Sequence, residues 1–261
     1  MKKILISFLL LFLSFNSFAQ EKIKKDIVPW GTQKSIDLLN KSSFKNDFYQ
    51  LANFYQPQIN PFFCGVASSV IILNALNYNN IESQKEIEFK NEKILGSKIL
   101  EYKAYSQFNF LNDKTDKIKN RDIVELRKPF QIKAGKEIYD PGFTLSQLES
   151  ILTNVHKLKV KKVYAKNNKE KSIENFRKDL KKYLIDNSHF IIVNIDGSYL
   201  FENAGGHLSP IVAYDENSDY VMVMDVAIHK RPWYFVKTQD LYQAMNSLDG
   251  SNYRGYLIIS K

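Results

Sequence analysis

The segment of residues 64–76 restricts the fold of this chain more than any other. It reads Cys-Gly-Val-Ala-Ser-Ser-Val-Ile-Ile-Leu-Asn-Ala-Leu, so a helix over this range would carry apolar or small side chains on nearly every face. Such a helix has to be surrounded by protein, because an exposed side would bring apolar groups into water. We therefore predict a buried central helix that begins at Cys64, with the rest of the fold packed around it.

The second half of the chain has the pattern of an antiparallel sheet. Apolar segments separated by polar turns predict strands at 158–164, 189–195, 208–214, 220–227 and 256–260. Helices are predicted at 35–40, 142–152 (with Thr144 as N-cap), 172–185 and 240–246. A helical first half followed by strands indicates an α+β fold, in a single domain over residues 20–261.

The first residues differ from the rest and predict export. Two lysines precede an apolar run at 4–15 that is short for a membrane span, and small residues follow at 17–19. This order is typical of a secretory signal peptide over residues 1–19, cleaved near Ala19-Gln20, with a retained anchor as the alternative. We expect a periplasmic or secreted protein. No later stretch is apolar enough to predict an integral membrane protein.

The formal net charge of +9 would suit an anionic partner. The lysines are dispersed among acidic and amide residues, without a basic run or an Arg-rich helix. Together with the predicted export, this distribution argues against nucleic acid as a partner. A small acidic substrate is compatible with it.

The chain contains one cysteine, Cys64, at the start of the predicted buried helix. Exported proteins usually pair their cysteines, so a single one predicts a free thiol or an intermolecular bridge; an inert buried thiol is the third interpretation. The first turn of a helix favours negative charge, because free N–H groups and the positive end of the dipole lie there. The position therefore predicts a thiolate nucleophile.

A thiolate nucleophile needs a base, and His207 is the best candidate among the four histidines. It follows Gly205-Gly206 and opens an apolar strand. The other three have surface or turn contexts: we expect His156 and His229 to be exposed and His189 to lie in a turn.

Asp225 is predicted to orient His207. It lies in the run Val-Met-Val-Met-Asp-Val, where an unpaired carboxylate would be costly. If the two neighbouring strands form a hairpin, His207 pairs close to Ala227, and Asp225 lies one diagonal step away on the same face. The alternative for a buried aspartate is a structural hydrogen bond to backbone.

Acyl transfer by a thiolate also needs donors for the oxyanion that forms. The backbone N–H of Cys64 is one candidate, and the side-chain amide of Gln58, on the irregular approach segment, is a weaker one. No cluster of histidine, cysteine and acidic residues has metal-ligand spacing, so no metal site is predicted.

Several segments, in the same order, resemble the phytochelatin synthases. The resemblance is carried by the nucleophile segment Gln58-Ile-Asn-Pro-Phe-Phe-Cys64-Gly, the histidine segment Gly205-Gly-His207-Leu-Ser-Pro and the aspartate segment Met224-Asp225-Val-Ala. Further similar segments are 142–148, 236–245 and 254–260. The similarity extends from about Phe54 to the end of the sequence and is weakest over 83–135.

The resemblance implies a papain-like fold, with Cys64 as nucleophile, His207 as base and acid, Asp225 as its orienting group and Gln58 as oxyanion donor. It implies that the thiolate attacks the cysteinyl–glycine amide of glutathione, releases glycine and forms a γ-glutamylcysteinyl thioester. A second glutathione then accepts the acyl group, which gives phytochelatin, or water accepts it, which gives γ-glutamylcysteine. The sequence leaves the choice between transferase and hydrolase open.

The resemblance also implies a substrate site and the partners of the chain. Asp249 and Arg254 resemble a charged pair near the family's substrate site, with Gly206 beside it, and an arginine there would suit an anionic peptide. No tightly bound cofactor is implied; cadmium or zinc would enter as a metal–glutathione complex. Glutathione is the expected partner, and a homodimer is compatible with the family.

Two positions depart from the plant-like pattern after the aspartate. Ile228 and Arg231 stand where that pattern has arginine and tyrosine. These differences bear on binding of the acceptor glutathione more than on acylation of Cys64.

Two other functions remain open. Leader peptidases of peptide exporters share the papain-like plan and a glutamine six residues before the cysteine. An exported binding protein on a decayed peptidase fold would lack a reactive thiol.

Overall fold

The structure, a computed structural model, describes residues 25–77, 104–119, 130–133, 136–139, 142–165 and 169–261. The predicted signal peptide, residues 1–19, lies outside these ranges, as does much of the segment 83–135. The helices of the described part are α1 (Gln33–Lys41), α2 (Asn46–Ala52), α3 (Cys64–Asn77), α4 (Gln107–Phe110), α5 (Asp113–Lys119), α6 (Leu145–Asn154), α7 (Lys169–Tyr183) and α8 (Thr238–Met245). Its strands are β1 (Ile27–Pro29), β2 (Phe130–Lys133), β3 (Lys136–Tyr139), β4 (Lys159–Tyr164), β5 (His189–Asp196), β6 (Gly206–Asp215), β7 (Tyr220–Val223), β8 (Tyr234–Lys237), β9 (Leu248–Asp249), β10 (Asn252–Tyr253) and β11 (Gly255–Ser260).

Seven of these strands form one sheet, in the order β1-β8-β7-β6-β5-β11-β4, and every neighbouring pair is antiparallel. Two small ribbons, β2-β3 and β9-β10, lie outside it. Strands β5 to β8 follow one another in the chain and lie side by side, as in a meander. The predicted antiparallel sheet and the mixed α and β class are confirmed.

Apolar clusters cover both faces of the sheet. Along β5, Phe190 and Ile192 pack in the cluster that contains α3, whereas Ile191 and Val193 pack in the cluster that contains α7 and α8. The two sets alternate because successive side chains of a strand point to opposite faces. The sheet is therefore a middle layer between helices, which explains why its inner strands are apolar on both faces.

Helix α3 is the buried helix that the sequence predicts. Every residue from Cys64 to Asn74 is buried, and the helix packs on β6. Its two serine hydroxyls have backbone partners: Ser68 Oγ donates to the carbonyl oxygen of Leu208 at 3.1 Å, and Ser69 Oγ donates to that of Gly65 at 2.7 Å. These bonds offset the cost of burying polar groups inside an apolar helix.

The other predicted helices and strands are present with shifted ends, and the structure adds short ones. Elements β1, α2 and β8 are among those that the sequence analysis did not predict, because so few residues carry little periodicity. The strand predicted at 220–227 is too long, since β7 ends at Val223. Among the described residues, no helix is both long enough and apolar enough to cross a bilayer.

The expectation that His156 is exposed is wrong. Its ring stacks on Phe110 of α4 with the ring centroids 5.0 Å apart, and burial lowers its pKa to about 4. The sequence pattern around 107–110 predicted no helix, so the packing of Phe110 on His156 could not be predicted. His229 is exposed as predicted, and His189 opens β5 with its ring bonded to Asp186.

Candidate active site

Cys64 is the first residue of α3 and is buried, with 8% of its surface exposed. The backbone turns into the helix just before it, where the N–H of Phe63 donates to the carbonyl oxygen of Asn60 at 3.0 Å. Gly65 lets the helix approach β6, because a Cβ there would lie 3.0 Å from the Leu208 side chain and 3.2 Å from that of Phe143. The glycine after the cysteine thus brings the thiol close to the strand that carries His207.

His207 is the second residue of β6 and lies opposite Ile195 of β5. Its Nε2 lies 2.8 Å from Asp225 Oδ1, and the same oxygen accepts the backbone N–H of Ala227 at 2.8 Å. Both side chains are buried, with Asp225 fully inaccessible. The structure therefore brings together the histidine and aspartate that the hairpin argument paired.

The hairpin reaches this geometry through a β-bulge. Near its turn, Asp215 pairs with Tyr220, and the register then shifts between Ile211 and Ala213 so that Ile211 pairs with Val223. Without the extra residue, the odd-numbered positions of β6 would face the even-numbered positions of β7. The bulge gives the register predicted from the sequence, in which odd-numbered residues of the two strands pair. Asp225 then reaches His207 from the segment that follows β7.

The surroundings of the thiol and the imidazole favour an ion pair between them. Asp225 Oδ1 and Ser209 Oγ both lie within hydrogen-bond distance of His207 Nε2, so we assign the hydrogen bond with Cys64 to the other ring nitrogen, Nδ1. Burial raises the pKa of the Cys64 thiol, but its hydrogen bond to His207 and the imidazolium charge lower it by more, and backbone groups of Leu208 and Gly65 lower it further. The net pKa of the thiol lies below its usual range.

The same surroundings favour the protonated form of His207. Burial lowers its pKa, whereas the charge of Asp225, the hydrogen bond to that carboxylate and the contact with Cys64 raise it, to a net value of about 9. Burial alone would raise the pKa of Asp225, but His207 and Arg231 hold it well below its usual range. A thiolate, an imidazolium and a carboxylate therefore coexist between the pKa of the thiol and about pH 9.

Sequence analysis did not assign a place in the site to Arg231. Its Nε donates to Asp225 Oδ2 at 2.7 Å, and its side chain is 7% exposed. The local sequence His-Lys-Arg-Pro has the appearance of an exposed basic loop, and only its position relative to the plant-like pattern set Arg231 apart. Its burial depends on tertiary contacts that local pattern does not contain.

Gln58 lies on the loop before α3, and its backbone N–H donates to the carbonyl oxygen of Val226 at 2.8 Å. Its side-chain nitrogen donates to the carbonyl oxygens of Asn60 and Pro61, at 2.9 and 3.0 Å. Both amide hydrogens are therefore used within the loop. The oxyanion role of Gln58 stays a prediction, and it requires the amide to release at least one of these carbonyls when substrate binds.

The three predicted substrate-binding residues lie together beside His207. Arg254 Nη1 is 3.4 Å from Asp249 Oδ2, and a Cβ on Gly206 would lie only 3.0 Å from the same nitrogen. Asn194 of β5 joins the pair: it accepts from Arg254 Nη1 at 2.7 Å and donates to Asp249 at 2.9 Å. Sequence analysis missed Asn194, because it lies within an apolar strand segment and has no neighbouring polar signal.

The arrangement suits acyl transfer through a thiolate. The N–H groups of the first turn of α3 have no partner within the helix, so the backbone N–H of Cys64 is free of helical bonding and can serve as an oxyanion donor. Within the described ranges, no group of three or more histidine, cysteine and acidic side chains is arranged to hold a metal ion.

Comparisons with known proteins agree with this chemistry. A family model described as phytochelatin synthase matches residues 18–256. The chain is 24% identical over 237 residues to glutathione gamma-glutamylcysteinyltransferase 3 of Lotus japonicus, an alignment that covers 89% of this chain and 41% of that protein. It is 26% identical over 234 residues to transferase 1 of the same plant, covering 88% of this chain and 39% of that protein.

A fungal relative gives the same result. The glutathione gamma-glutamylcysteinyltransferase of Schizosaccharomyces pombe is 23% identical over 250 residues, which cover 94% of this chain and 51% of that protein. The chain thus spans about half, or less, of the length of the curated relatives that it matches.

Proposed function

Since the chain belongs to the phytochelatin synthase family, we propose that it is a thiol acyltransferase that acts on the cysteinyl–glycine bond of glutathione. The observation that carries the proposal is the buried arrangement of Cys64, His207 and Asp225 in a chain of this family. We place the whole activity in one catalytic domain, residues 20–261. Its nucleophile at the start of a buried helix, packed on an antiparallel sheet that carries the histidine, supports a papain-like fold.

In the first half of the reaction, the Cys64 thiolate attacks the carbonyl carbon of the cysteinyl–glycine amide. The backbone N–H of Cys64 and, after rearrangement, the amide of Gln58 stabilise the oxyanion. The C–N bond breaks as the His207 imidazolium gives its proton to the leaving amine. Glycine departs, and the γ-glutamylcysteinyl group remains on Cys64 as a thioester.

In the second half, neutral His207 accepts a proton from the incoming nucleophile. When that nucleophile is the amino group of a second glutathione, the C–S bond breaks and the product is lengthened by one γ-glutamylcysteinyl unit. When it is water, the product is γ-glutamylcysteine. Either route restores the thiolate–imidazolium pair, and Asp225 keeps the imidazole in place throughout.

The charged pair beside Gly206 supports binding of the γ-glutamyl end. The Arg254 guanidinium can donate to an α-carboxylate, and the Asp249 carboxylate can accept from an α-ammonium group. Asn194 fixes the two groups relative to each other. Cadmium or zinc enters this proposal as part of a metal–glutathione complex that serves as substrate.

The proposal includes export and a periplasmic or secreted location, because residues 1–19 have the composition of a signal peptide. A homodimer is part of the proposal on family grounds alone. Size-exclusion chromatography and fractionation of expressing cells test these two points separately from activity.

Mass spectrometry of the purified protein with glutathione, with and without cadmium or zinc, tests the activity. Glycine with γ-glutamylcysteine alone identifies a hydrolase, and added (γ-Glu-Cys)₂-Gly identifies a synthase. The same protein pretreated with iodoacetamide is the control, because Cys64 is its only cysteine. If no glycine appears under any condition, the proposal is wrong, and cleavage of a double-glycine leader peptide becomes the next assay.

Gly206→Ala is expected to weaken substrate binding without slowing the chemistry. The new methyl group would lie 3.0 Å from Arg254 Nη1 and displace the guanidinium from Asn194. We expect KM for glutathione to rise by about tenfold, equivalent to one charge-assisted hydrogen bond of about 1.5 kcal/mol, with kcat nearly unchanged. Steady-state kinetics measures both values.

Gly205→Ala is the matched control for this substitution. A Cβ at Gly205 meets no described atom within 4 Å, so its KM should equal that of the unmodified protein. Equal KM values in the two variants would exclude the proposed contact of Arg254 with substrate.

A further inference from the structure

Arg231 makes a buried ion pair with the carboxylate that orients His207. Its Nε lies 2.7 Å from Asp225 Oδ2, while His207 Nε2 lies 2.8 Å from Oδ1. The guanidinium also covers the ring of Phe201, with its central carbon 4.3 Å from the ring centroid. Packed between a carboxylate and an aromatic face, the guanidinium can fix Oδ2 while Oδ1 keeps its bond to His207.

The charges of the site balance only when Arg231 is included. A thiolate on Cys64, an imidazolium on His207 and a carboxylate on Asp225 leave one net negative charge in a region with little access to water. The guanidinium of Arg231 compensates that charge. Without it, a fully buried carboxylate would lose one of its two cationic partners, which is costly in a medium of low polarity.

We propose that Arg231 is a positioning residue, which acts through Asp225 to keep the thiolate–imidazolium pair formed at acidic pH. The inference rests on the proposed roles of Cys64, His207 and Asp225, but not on the identity of the substrate. It assigns a function to an arginine that stands where the plant-like pattern has tyrosine. We expect its effect to reach Cys64 through the aspartate and the histidine.

Other charged and titratable groups around Asp225 do not replace this arginine. The hydroxyl of Tyr55 donates to the backbone oxygen of Asp225 at 2.9 Å and is a neutral partner. His229 is exposed, and its pKa is lowered by partial burial and by the neighbouring Lys230. Among the described residues, the titratable and charged groups around the carboxylate are thus His207, Arg231, Tyr55, His229 and, through the histidine, Cys64.

The pH dependence of Cys64 alkylation by iodoacetamide tests the proposal. The rate constant follows the thiolate, and no other cysteine contributes. In Arg231→Met, we expect the acid limb of the profile to move up by about one pH unit or more. A carboxylate that the guanidinium no longer holds stabilises the imidazolium less well, and the imidazolium lowers the pKa of the thiol. Arg231→Lys should recover part of the shift, since it keeps the charge without the planar geometry.

The control removes a similar pair at the other end of the same hairpin. Arg177 donates from Nε to Asp219 Oδ1 at 3.0 Å beside the β6–β7 turn, and Arg177→Met should leave the acid limb in place. Circular dichroism and thermal unfolding establish that each variant is folded before its profile is compared.

A double-mutant cycle separates action through Asp225 from general stabilisation of the loop. Adding Arg231→Met to Asp225→Asn should produce no further shift, because the route to His207 is already broken. An unmoved acid limb in folded Arg231→Met, or an equal extra shift in the Asp225→Asn background, would overturn the proposal. If Arg231→Met does not fold, Arg231→Lys decides, and an acid limb at the original position overturns it.

Discussion

Cys64→Ala is expected to abolish release of glycine from glutathione, with a loss of at least about 10⁴-fold in kcat, the scale seen when a catalytic triad loses a member. Alanine leaves no nucleophile at the start of α3, and the chain has no other cysteine to replace it. The remaining oxyanion donors and binding groups cannot form the thioester. Quenched time courses with glycine detection measure the loss.

The same variant should change the titration of His207 in a defined direction. The Cys64 thiolate is one of the groups that raise the His207 pKa to about 9, so its removal should lower that pKa. An NMR titration of the imidazole reports the change. Ser69→Ala, which removes a hydroxyl bonded within α3 at 2.7 Å, is the control and should alter neither kcat nor the titration. Glycine release by Cys64→Ala at the original rate would remove this cysteine from the mechanism.

Asp225→Asn is expected to lower kcat by about 10³- to 10⁴-fold, the scale known for loss of the orienting carboxylate. The amide cannot stabilise the imidazolium by charge, so the pKa of His207 should fall. The basic limb of the kcat/KM profile follows the loss of the His207 proton in the free protein, where its pKa is about 9, and should then move to lower pH. Rate measurements across the pH range show both effects.

This substitution should also destabilise the fold, because it leaves the Arg231 guanidinium buried beside a neutral amide. Breaking a buried pair in this way costs about 3 kcal/mol in the free energy of unfolding. The folded-state pKa of Asp225 is depressed, so its stabilisation is present above the unfolded pKa of about 3.9 and is lost as pH falls below it. Urea unfolding at several pH values should show that the free energies of unfolding of the unmodified protein and of Asp225→Asn converge at acidic pH.

Asp219→Asn is the matched control for Asp225→Asn. Asp219 pairs with Arg177 beside the turn of the same hairpin, away from Cys64. The Asp219→Asn variant should have a lower free energy of unfolding, while kcat of the folded protein stays unchanged. If Asp225→Asn behaved like this control, with full turnover and an unmoved basic limb, Asp225 would be a structural residue only.

The parts of this fold that depend on local hydrophobic pattern and capping residues were predictable from the sequence. The apolar run after Cys64 has no polar face, so burial of α3 was its only outcome. Thr144 at the start of α6 caps the helix as predicted, with Gln147 bonding back to it. The proximity of Asp225 to His207 was predicted by pairing residues across a regular hairpin. The predicted register agrees with the structure only because of the bulge near Ile211.

The features that escaped prediction depend on tertiary contacts. Arg231 lies in a basic stretch that resembles a surface loop, and its burial depends on Asp225 and Phe201. Asn194 lies in an apolar strand, and its polar role depends on Arg254, just before the neighbouring strand β11, and on Asp249 of the β9–β10 ribbon. The Gln58 amide donates to carbonyls of its own loop, an orientation that residue type and spacing cannot specify.

The position of β11 in the sheet has a consequence for the order of folding. This strand is the last of the described strands in the chain, yet it lies inside the sheet, with β5 on one side and β4 on the other. During synthesis, β4 and β5 emerge well before the strand that joins them, so their unpaired edges must wait for it. Pairing between such distant segments is slow, because the entropy of closing the intervening loop is lost before the stabilising contacts form. We expect folding to finish only after residues 255–260 have left the ribosome. Under the proposed export, this order would keep the chain unfolded, and without its assembled thiol site, while it crosses the membrane.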